Sequence, residues 1–146
     1  MTKALILLIA ATIATPAAAW EFSTEANICL LRHGGSEGDV RVTYAPGLAV
    51  YGITVSRGEA PWEPGAIFAI QFQGPRALTI STNRQQYSGG GRDLSVTDRG
   101  FGNVLNGLEF NTSATAILGN QTVRFDLRGA APEVRKFRAC TDGGLV

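Results

Sequence analysis

The chain has 146 residues, of which 45% are hydrophobic and 17% are charged, and its formal net charge is +1. This is enough chain for a domain with a substantial core. The 13 Lys and Arg residues nearly equal the 12 Asp and Glu residues, which excludes the cationic surplus that a nucleic-acid binder uses to displace counterions. No nucleic-acid partner is therefore expected.

The first residues are typical of a secretory signal peptide. Lys3 precedes an apolar run from Ala4 to Thr15, and Ala17-Ala18-Ala19 matches the small-x-small pattern of a cleavage site. The apolar run is shorter than the roughly 20 residues that span a bilayer. We expect residues 1–19 to be a cleaved signal peptide and residues 20–146 to be a single β-rich domain. The mature chain, without a transmembrane segment, is expected to be periplasmic or secreted.

Strand patterns dominate the middle of the chain. Five runs have the period-2 alternation or the apolar composition of strands: residues 40–44, 49–55, 67–72, 77–82 and 122–127. Glycine-containing turns separate adjacent runs at Gln73–Arg76, Gly89–Gly91 and Gly119–Asn120. Counting from Asn27, the pattern predicts about eight or nine strands in an antiparallel β-sandwich or barrel.

Two segments break the alternation and are predicted to be helices. Within residues 98–109, four apolar residues share one helical face: Phe101, Val104, Leu105 and Leu108. Asp98 is the candidate N-cap of this mid-chain helix. The second segment, residues 132–141, begins with Pro132 and is followed by Gly143-Gly144, which is typical of the start and the end of a C-terminal helix.

The two cysteines, Cys29 and Cys140, lie near opposite ends of the mature chain. In an exported protein they are expected to form a disulfide. They are not arranged as Cys-x-x-Cys, which makes a redox role a poor interpretation. Cys140 shares a helix face with Val134 and Phe137, so the disulfide is predicted to join the last helix to the first predicted strand.

The stretch CLLRHGGSE, residues 29–37, resembles the motif Leu-x-Arg-His-Gly-x-Thr-Glu of the histidine phosphatase family. The resemblance implies that His33 accepts a phosphoryl group and Arg32 clamps its oxygens, which would make the chain a small secreted hydrolase. The mechanism of that family needs a second histidine, whereas this chain contains only His33. The family also follows its motif with a helix, whereas Gly38 and a predicted strand follow here. We therefore interpret the stretch as a strand end with a glycine turn, and the match as coincidental.

No other pattern indicates a specific chemistry. One histidine and two cysteines that are expected to be disulfide-bonded provide no zinc-ligand set, and neither a metal nor a cofactor is expected. Paired carboxylates for sugar hydrolysis would have to come from residues that are distant in sequence: Asp93, Asp98, Glu109 and Asp126. Trp62 lies between two prolines in the longest predicted loop. It either presents a recognition surface or folds back onto the core.

The ending VRFDLRGAAPEVRKFRAC resembles the close of small exported proteins of alphaproteobacteria. The segments FAIQFQGPRALTIST and DRGFGNVLNGLEFN are similar to one uncharacterised set of such proteins from the Rhodobacter group. The resemblance implies a periplasmic protein and brings no known activity and no catalytic residue. We expect a non-enzymatic binding or accessory module whose partner is an unknown envelope protein or a small ligand. A lipid or small-ligand carrier is a further alternative, and it requires an internal cavity.

Overall fold

The structure is a computed structural model that describes residues 9–12, 19–58 and 60–144. These residues contain ten strands: β1 (Glu21–Glu25), β2 (Ile28–Gly34), β3 (Gly38–Ala45), β4 (Val50–Arg57), β5 (Phe68–Gln73), β6 (Leu78–Thr82), β7 (Gln86–Ser88), β8 (Asp93–Asp98), β9 (Ser113–Leu118) and β10 (Gln121–Asp126). Helix α1 (Gly102–Phe110) follows β8, and helix α2 (Ala130–Ala139) follows β10. The predicted mainly β fold with a mid-chain and a C-terminal helix is confirmed.

The strands form two antiparallel sheets in a sandwich-like arrangement. The six-stranded sheet has the spatial order β1-β2-β3-β4-β8-β7, and the four-stranded sheet has the order β10-β9-β5-β6. The predicted glycine turns after β5, β7 and β9 each connect two antiparallel partners. Short connections favour this arrangement because parallel strands need a long crossover.

The core lies between the two sheets and is filled by alternate residues of each strand. In β5, Phe68, Ile70 and Phe72 are at most 5% exposed, whereas Gln71 and Gln73 are exposed. This follows from the opposite directions of successive side chains in a strand. The two helices add apolar residues to the same cluster: Val104, Leu105, Leu108, Val134 and Phe137.

The mid-chain helix begins later than predicted. Asp98 is the last residue of β8, where it is paired with Tyr51. Helix α1 begins at Gly102, and its N-cap residue Phe101 makes no side-chain capping hydrogen bond. The prediction that Asp98 caps the helix is therefore wrong, because the strand ladder continues through the residue that the capping pattern favoured.

The N-terminal edge of the six-stranded sheet is a strand that the pattern did not predict. β1 pairs with β2, and Phe22 lies within β1. The predicted disulfide between Cys29 and Cys140 is present. Because β1 precedes it, the disulfide joins the second strand, not the first, to the residue that follows α2.

The predicted signal peptide, residues 1–19, lies mostly outside the described residues, which include only 9–12 and Ala19 of it. In the described part of the chain, no helix is both long enough and apolar enough to cross a membrane.

Candidate functional site

Arg32 and His33, the two residues of the phosphatase-like stretch expected to carry chemistry, lie on opposite faces of β2. His33 faces inward and is 6% exposed. Arg32 is exposed and forms an ion pair of 3.2 Å with Glu25. Adjacent residues of a strand point to opposite faces of the sheet. The fold therefore does not bring the imidazole and the guanidinium together around one anion.

The His33 ring is packed as a core side chain. It stacks on Trp20, with the ring centroids 4.8 Å apart and the planes 7° from parallel. Its Nδ1 has no hydrogen-bond partner among the described residues. Burial lowers the pKa of His33, while a hydrogen bond to the Ala19 backbone and the charges of Asp126 and Asp39 act in the opposite direction. The lowered pKa extends the pH range over which the imidazole is neutral.

Glu37, the last residue of the phosphatase-like stretch, makes a contact between the two sheets. Its carboxylate accepts a hydrogen bond of 2.8 Å from the backbone N–H of Arg124 on the outer edge of β10. This bond satisfies the N–H of Arg124, which has no partner strand on that side because β10 is an edge strand. Glu37 therefore links the β2–β3 turn to the edge strand of the opposite sheet.

Trp62, the candidate recognition residue, is buried. It is 3% exposed, and its Nε1 donates a hydrogen bond of 3.1 Å to the carbonyl of Val55. Its ring packs edge-on against Phe68, with a centroid distance of 6.4 Å. The ring therefore belongs to the core, and no recognition surface is formed by it.

The four carboxylates considered for sugar hydrolysis each have a different basic or hydroxyl partner. Asp93 accepts a hydrogen bond from Ser56. The other three form ion pairs, which join Asp98 to Arg84, Glu109 to Arg138, and Asp126 to Arg128. Among the described residues, no group of three or more His, Cys, Asp or Glu side chains could hold a metal ion.

A cleft of about 380 Å³ lies between the two sheets, beside the start of α1. We call it the interlayer cleft. Its apolar walls come from both sheets and from the residue before α1: Ile53, Val96, Phe68, Ile70, Ile80 and Phe101. A cavity of this size can hold a small organic group, since ligand sites have volumes of about 300–1,000 Å³.

Polar groups lie at the rim of the interlayer cleft. Arg84 follows β6 and forms an ion pair of 3.2 Å with Asp98 at the end of β8. Both side chains are largely exposed, at 68% and 46%. Thr82 and Asn103 add a hydroxyl and an amide to the lining. A ligand can therefore bury an apolar part in the cleft while it hydrogen-bonds at the rim.

The segment between β8 and α1 forms one side of the cleft. Phe101 is 6% exposed and lies between Gly100 and Gly102, where an added Cβ would meet nothing within 4 Å. Such a glycine pair leaves the backbone around the ring with few steric constraints. The Phe101 ring is held on this side of the cleft by stacking on Tyr51, with the ring centroids 5.4 Å apart.

Sequence reasoning found the inward-facing residues of the cleft but not the cleft itself. Alternation predicted that Phe68, Ile70 and Ile80 face inward, and no local signal showed that the layers leave space there.

Comparison with protein-family models, with curated proteins and with solved structures finds no match for this chain. The site is therefore argued from its own geometry.

Proposed function

We propose that the chain is a non-enzymatic binding module of the periplasm, which holds an apolar group of its ligand or partner in the interlayer cleft. The observation that carries this proposal is the cleft of about 380 Å³, with apolar walls from both sheets and a polar rim. Binding sites commonly combine a mostly apolar concavity with a few placed polar groups.

The chemistry of the rim limits the class of ligand. Arg84 already pairs with Asp98, so the rim presents a donor and an acceptor side by side. A group with both functions, such as an amide or an alcohol, matches this pair better than a bare cation or anion does. The ligand group is therefore an apolar body next to a neutral hydrogen-bonding group.

Two observations support a compartment outside the cytoplasm. Cys29 and Cys140 form a disulfide, and disulfides form and persist mainly in oxidising compartments. The N-terminal sequence has the charged residue, the apolar run and the Ala17-Ala18-Ala19 pattern of a signal peptide. Trp20, the first residue after that pattern, is 4% exposed and belongs to the core cluster. A mature chain that begins at Trp20 would keep this ring.

The binding proposal is tested with the fluorescent probe 1-anilinonaphthalene-8-sulfonate (ANS), whose apolar anilinonaphthalene body would enter the cleft while its sulfonate stays in solvent at the rim. We expect saturable binding to the folded chain with one site per molecule. Asn103→Trp places a large ring at the exposed rim and should abolish this binding. The matched control is Leu48→Trp, which makes the same kind of change at a site that is 74% exposed and outside the cleft lining.

Melting curves of both variants establish that each chain is folded when the probe is added. Equal probe binding by the Asn103→Trp chain and the parent chain would contradict the assignment of the cleft.

The proposal that the chain is not an enzyme is tested by measuring hydrolysis of a generic phosphate ester. Turnover that disappears in His33→Ala without a change in melting temperature would favour the hydrolase alternative instead.

A further inference from the structure

The two sheets have four edge strands, and three of them are protected. At β1, the backbone N–H of Phe22 donates a hydrogen bond of 3.2 Å to the carboxylate of Glu133 on α2. β7 has only three residues, and the hydroxyl of its central residue, Tyr87, accepts a hydrogen bond from the N–H of Gly65. Short edge strands and covering side chains are two ways in which proteins prevent strands from pairing with other chains.

The edge of β10 is covered along most of its length. Besides the bond from Arg124 to Glu37, the indole N–H of Trp20 donates to the carbonyl of Asp126 at 2.9 Å. At the start of the strand, the side-chain amide of Gln121 pairs with both the N–H and the carbonyl of Glu63. Glu37 and Trp20 therefore satisfy backbone groups along this edge, and the loop that contains Glu63 covers its start.

Helix α1 contacts β6, but among the described residues no side chain or loop forms a hydrogen bond with the outer backbone edge of this strand. Arg124, Thr115, Gln71 and Thr79 form one row across the four-stranded sheet. From one strand to the next along such a row, hydrogen-bonded pairs alternate with pairs that are not hydrogen-bonded. The Arg124 N–H points away from β9, so Arg124 and Thr115 are not hydrogen-bonded to each other, whereas Thr115 and Gln71 are. Gln71 and Thr79 are then again not hydrogen-bonded to each other, so the N–H and carbonyl of Thr79 point outward. The same alternation applies to Ser81. Neither N–H forms a hydrogen bond with any other described residue.

The composition of β6 suits pairing with another chain. Its sequence, LTIST, contains no charge, no proline and no glycine, and three of its five residues are β-branched. These are the features of a strand that adds readily to another strand. Ile80, Ser81 and Thr82 also belong to the lining of the interlayer cleft. Backbone groups for pairing and a cavity for side chains therefore lie side by side.

We propose that β6 is a docking edge to which an extended segment of a partner protein adds as a fifth strand of the four-stranded sheet. This inference rests on the proposed function, because it identifies the occupant of the interlayer cleft as an apolar side chain of that segment. Backbone hydrogen bonds supply affinity in this mode of recognition, and pockets for alternate side chains supply specificity. The neighbouring peptide bonds provide the neutral donor and acceptor that the rim favours.

The charges at both ends of β6 favour a partner segment over a second copy of the chain. Arg76 and Arg84 lie four residues before and after Ile80, and both are exposed. In an antiparallel pairing of two copies centred on Ile80, Arg76 of each copy would lie opposite Arg84 of the other. Like charges in that position are destabilising. The Arg84 of each copy is paired with Asp98 at an exposed site, where such a pair offsets the charge only in part. A segment with an uncharged centre and an acidic residue opposite Arg76, which has no ion pair among the described residues, is complementary instead.

The test uses a labelled peptide of alternating valine and threonine, matched in length to the span from Arg76 to Arg84. It carries one aspartate at its C-terminal end, which lies opposite Arg76 in an antiparallel pairing. We expect saturable binding by fluorescence anisotropy, and competition between the peptide and ANS. Methylating the alternate backbone nitrogens that face β6 should weaken binding about tenfold or more, because each methyl group removes a donor. Exchanging the aspartate opposite Arg76 for lysine should weaken binding as well.

A matched pair of variants tests the edge itself. Ser81→Pro removes an outward N–H that the fold does not use, and Thr122→Pro makes the same change in the same row at the covered β10 edge. We expect only Ser81→Pro to weaken peptide binding. Both variants should fold, because prolines are tolerated at outward positions of edge strands. The methylated peptides provide the test if a variant does not fold.

The outcomes separate this inference from the proposed function. If ANS binds and the peptide does not, the strand-addition proposal is overturned and the cleft remains a binding site. If neither binds, both proposals fail. Equal affinity for the methylated and unmethylated peptides overturns pairing through the backbone. A parent chain that sediments as a dimer, and becomes a monomer with Ser81→Pro, shows that a second copy occupies the edge and also overturns the proposal.

Discussion

Trp20 and His33 stack almost parallel, with ring centroids 4.8 Å apart. The contact joins the start of the folded chain to the strand that carries the phosphatase-like stretch. Because the His33 side chain is buried, the folded chain favours the uncharged imidazole. This has a measurable consequence for the stability of the protein.

Lowering the pH should destabilise the protein through His33. Burial lowers the pKa of His33 in the folded chain below its ordinary value of 6.5. The unfolded chain therefore binds a proton at a higher pH than the folded chain does. The stabilisation is fully present above pH 6.5 and is lost as the pH falls from there towards the folded pKa. The free energy of unfolding should fall by at most about 1.4 kcal/mol per pH unit in that window.

Urea denaturation at pH values on either side of the histidine pKa measures this effect. His33→Phe keeps an aromatic ring against Trp20 and removes the titrating group, so its stability should change less over the same pH range. If the parent chain and His33→Phe have the same pH dependence, other groups are responsible for it.

Removing the disulfide should cost more stability than any single core substitution discussed here. Cys29 and Cys140 are 111 residues apart, so the bond restricts most of the unfolded chain. The double variant Cys29→Ala/Cys140→Ala should lose about 4–5 kcal/mol of unfolding free energy in the chain-entropy model. Urea denaturation measures the loss, and a change of less than about 1 kcal/mol would show that the unfolded chain is already compact.

Gly107→Ala should destabilise the protein even though alanine favours helices. A Cβ on Gly107 would lie 2.5 Å from the ring of Phe72, which is 1% exposed and has no room to move. Overpacking of this kind costs about 1–3 kcal/mol, which exceeds or offsets the gain in helix propensity of about 1 kcal/mol. Gly102→Ala in the same helix is the control, because its Cβ would meet nothing within 4 Å. Equal melting temperatures of the two variants would contradict this argument.

Glu109 should contribute more than the exposed carboxylates do. Its side chain is 9% exposed and accepts a hydrogen bond of 3.0 Å from the Nε of Arg138, which joins α1 to α2. Glu109→Gln should lower the free energy of unfolding by about 1–2 kcal/mol, since it weakens a charge-assisted bond in a partly buried place.

Glu25→Gln is the matched control for Glu109→Gln. Glu25 is 61% exposed in its pair with Arg32, and such pairs contribute about 0–1 kcal/mol. A larger loss from Glu25→Gln than from Glu109→Gln would mean that burial does not decide the strength of these ion pairs.

The strands that alternation predicted were those with a buried and an exposed face. β5 and β10 have this pattern in their sequences and in their burial. β1 could not be found in this way, because its sequence, EFSTE, contains one apolar residue. That strand exists through its pairing with β2 and its contact with α2, which are tertiary interactions. Local propensity does not contain this information.

The candidate site was less predictable than the fold. The glycine at position 107 of α1 has a packing reason that only the structure shows, because a Cβ there would meet the Phe72 ring. The interlayer cleft depends on distances between sheets, and these are set by side chains from strands that are remote in sequence, such as Ile53 and Ile80. The burial of Trp62 likewise depends on a contact with Phe68 and not on its own loop.

The bond between Cys29 and Cys140 also determines what a protease can release. It closes a covalent ring that contains every residue from 29 to 140. A single cut in an exposed loop of that ring, such as the one around Trp62, leaves the two pieces attached to each other. Nicked molecules should run as one band on a gel without reductant and as two fragments after reduction, so a single cut in that loop would not by itself disperse the protein.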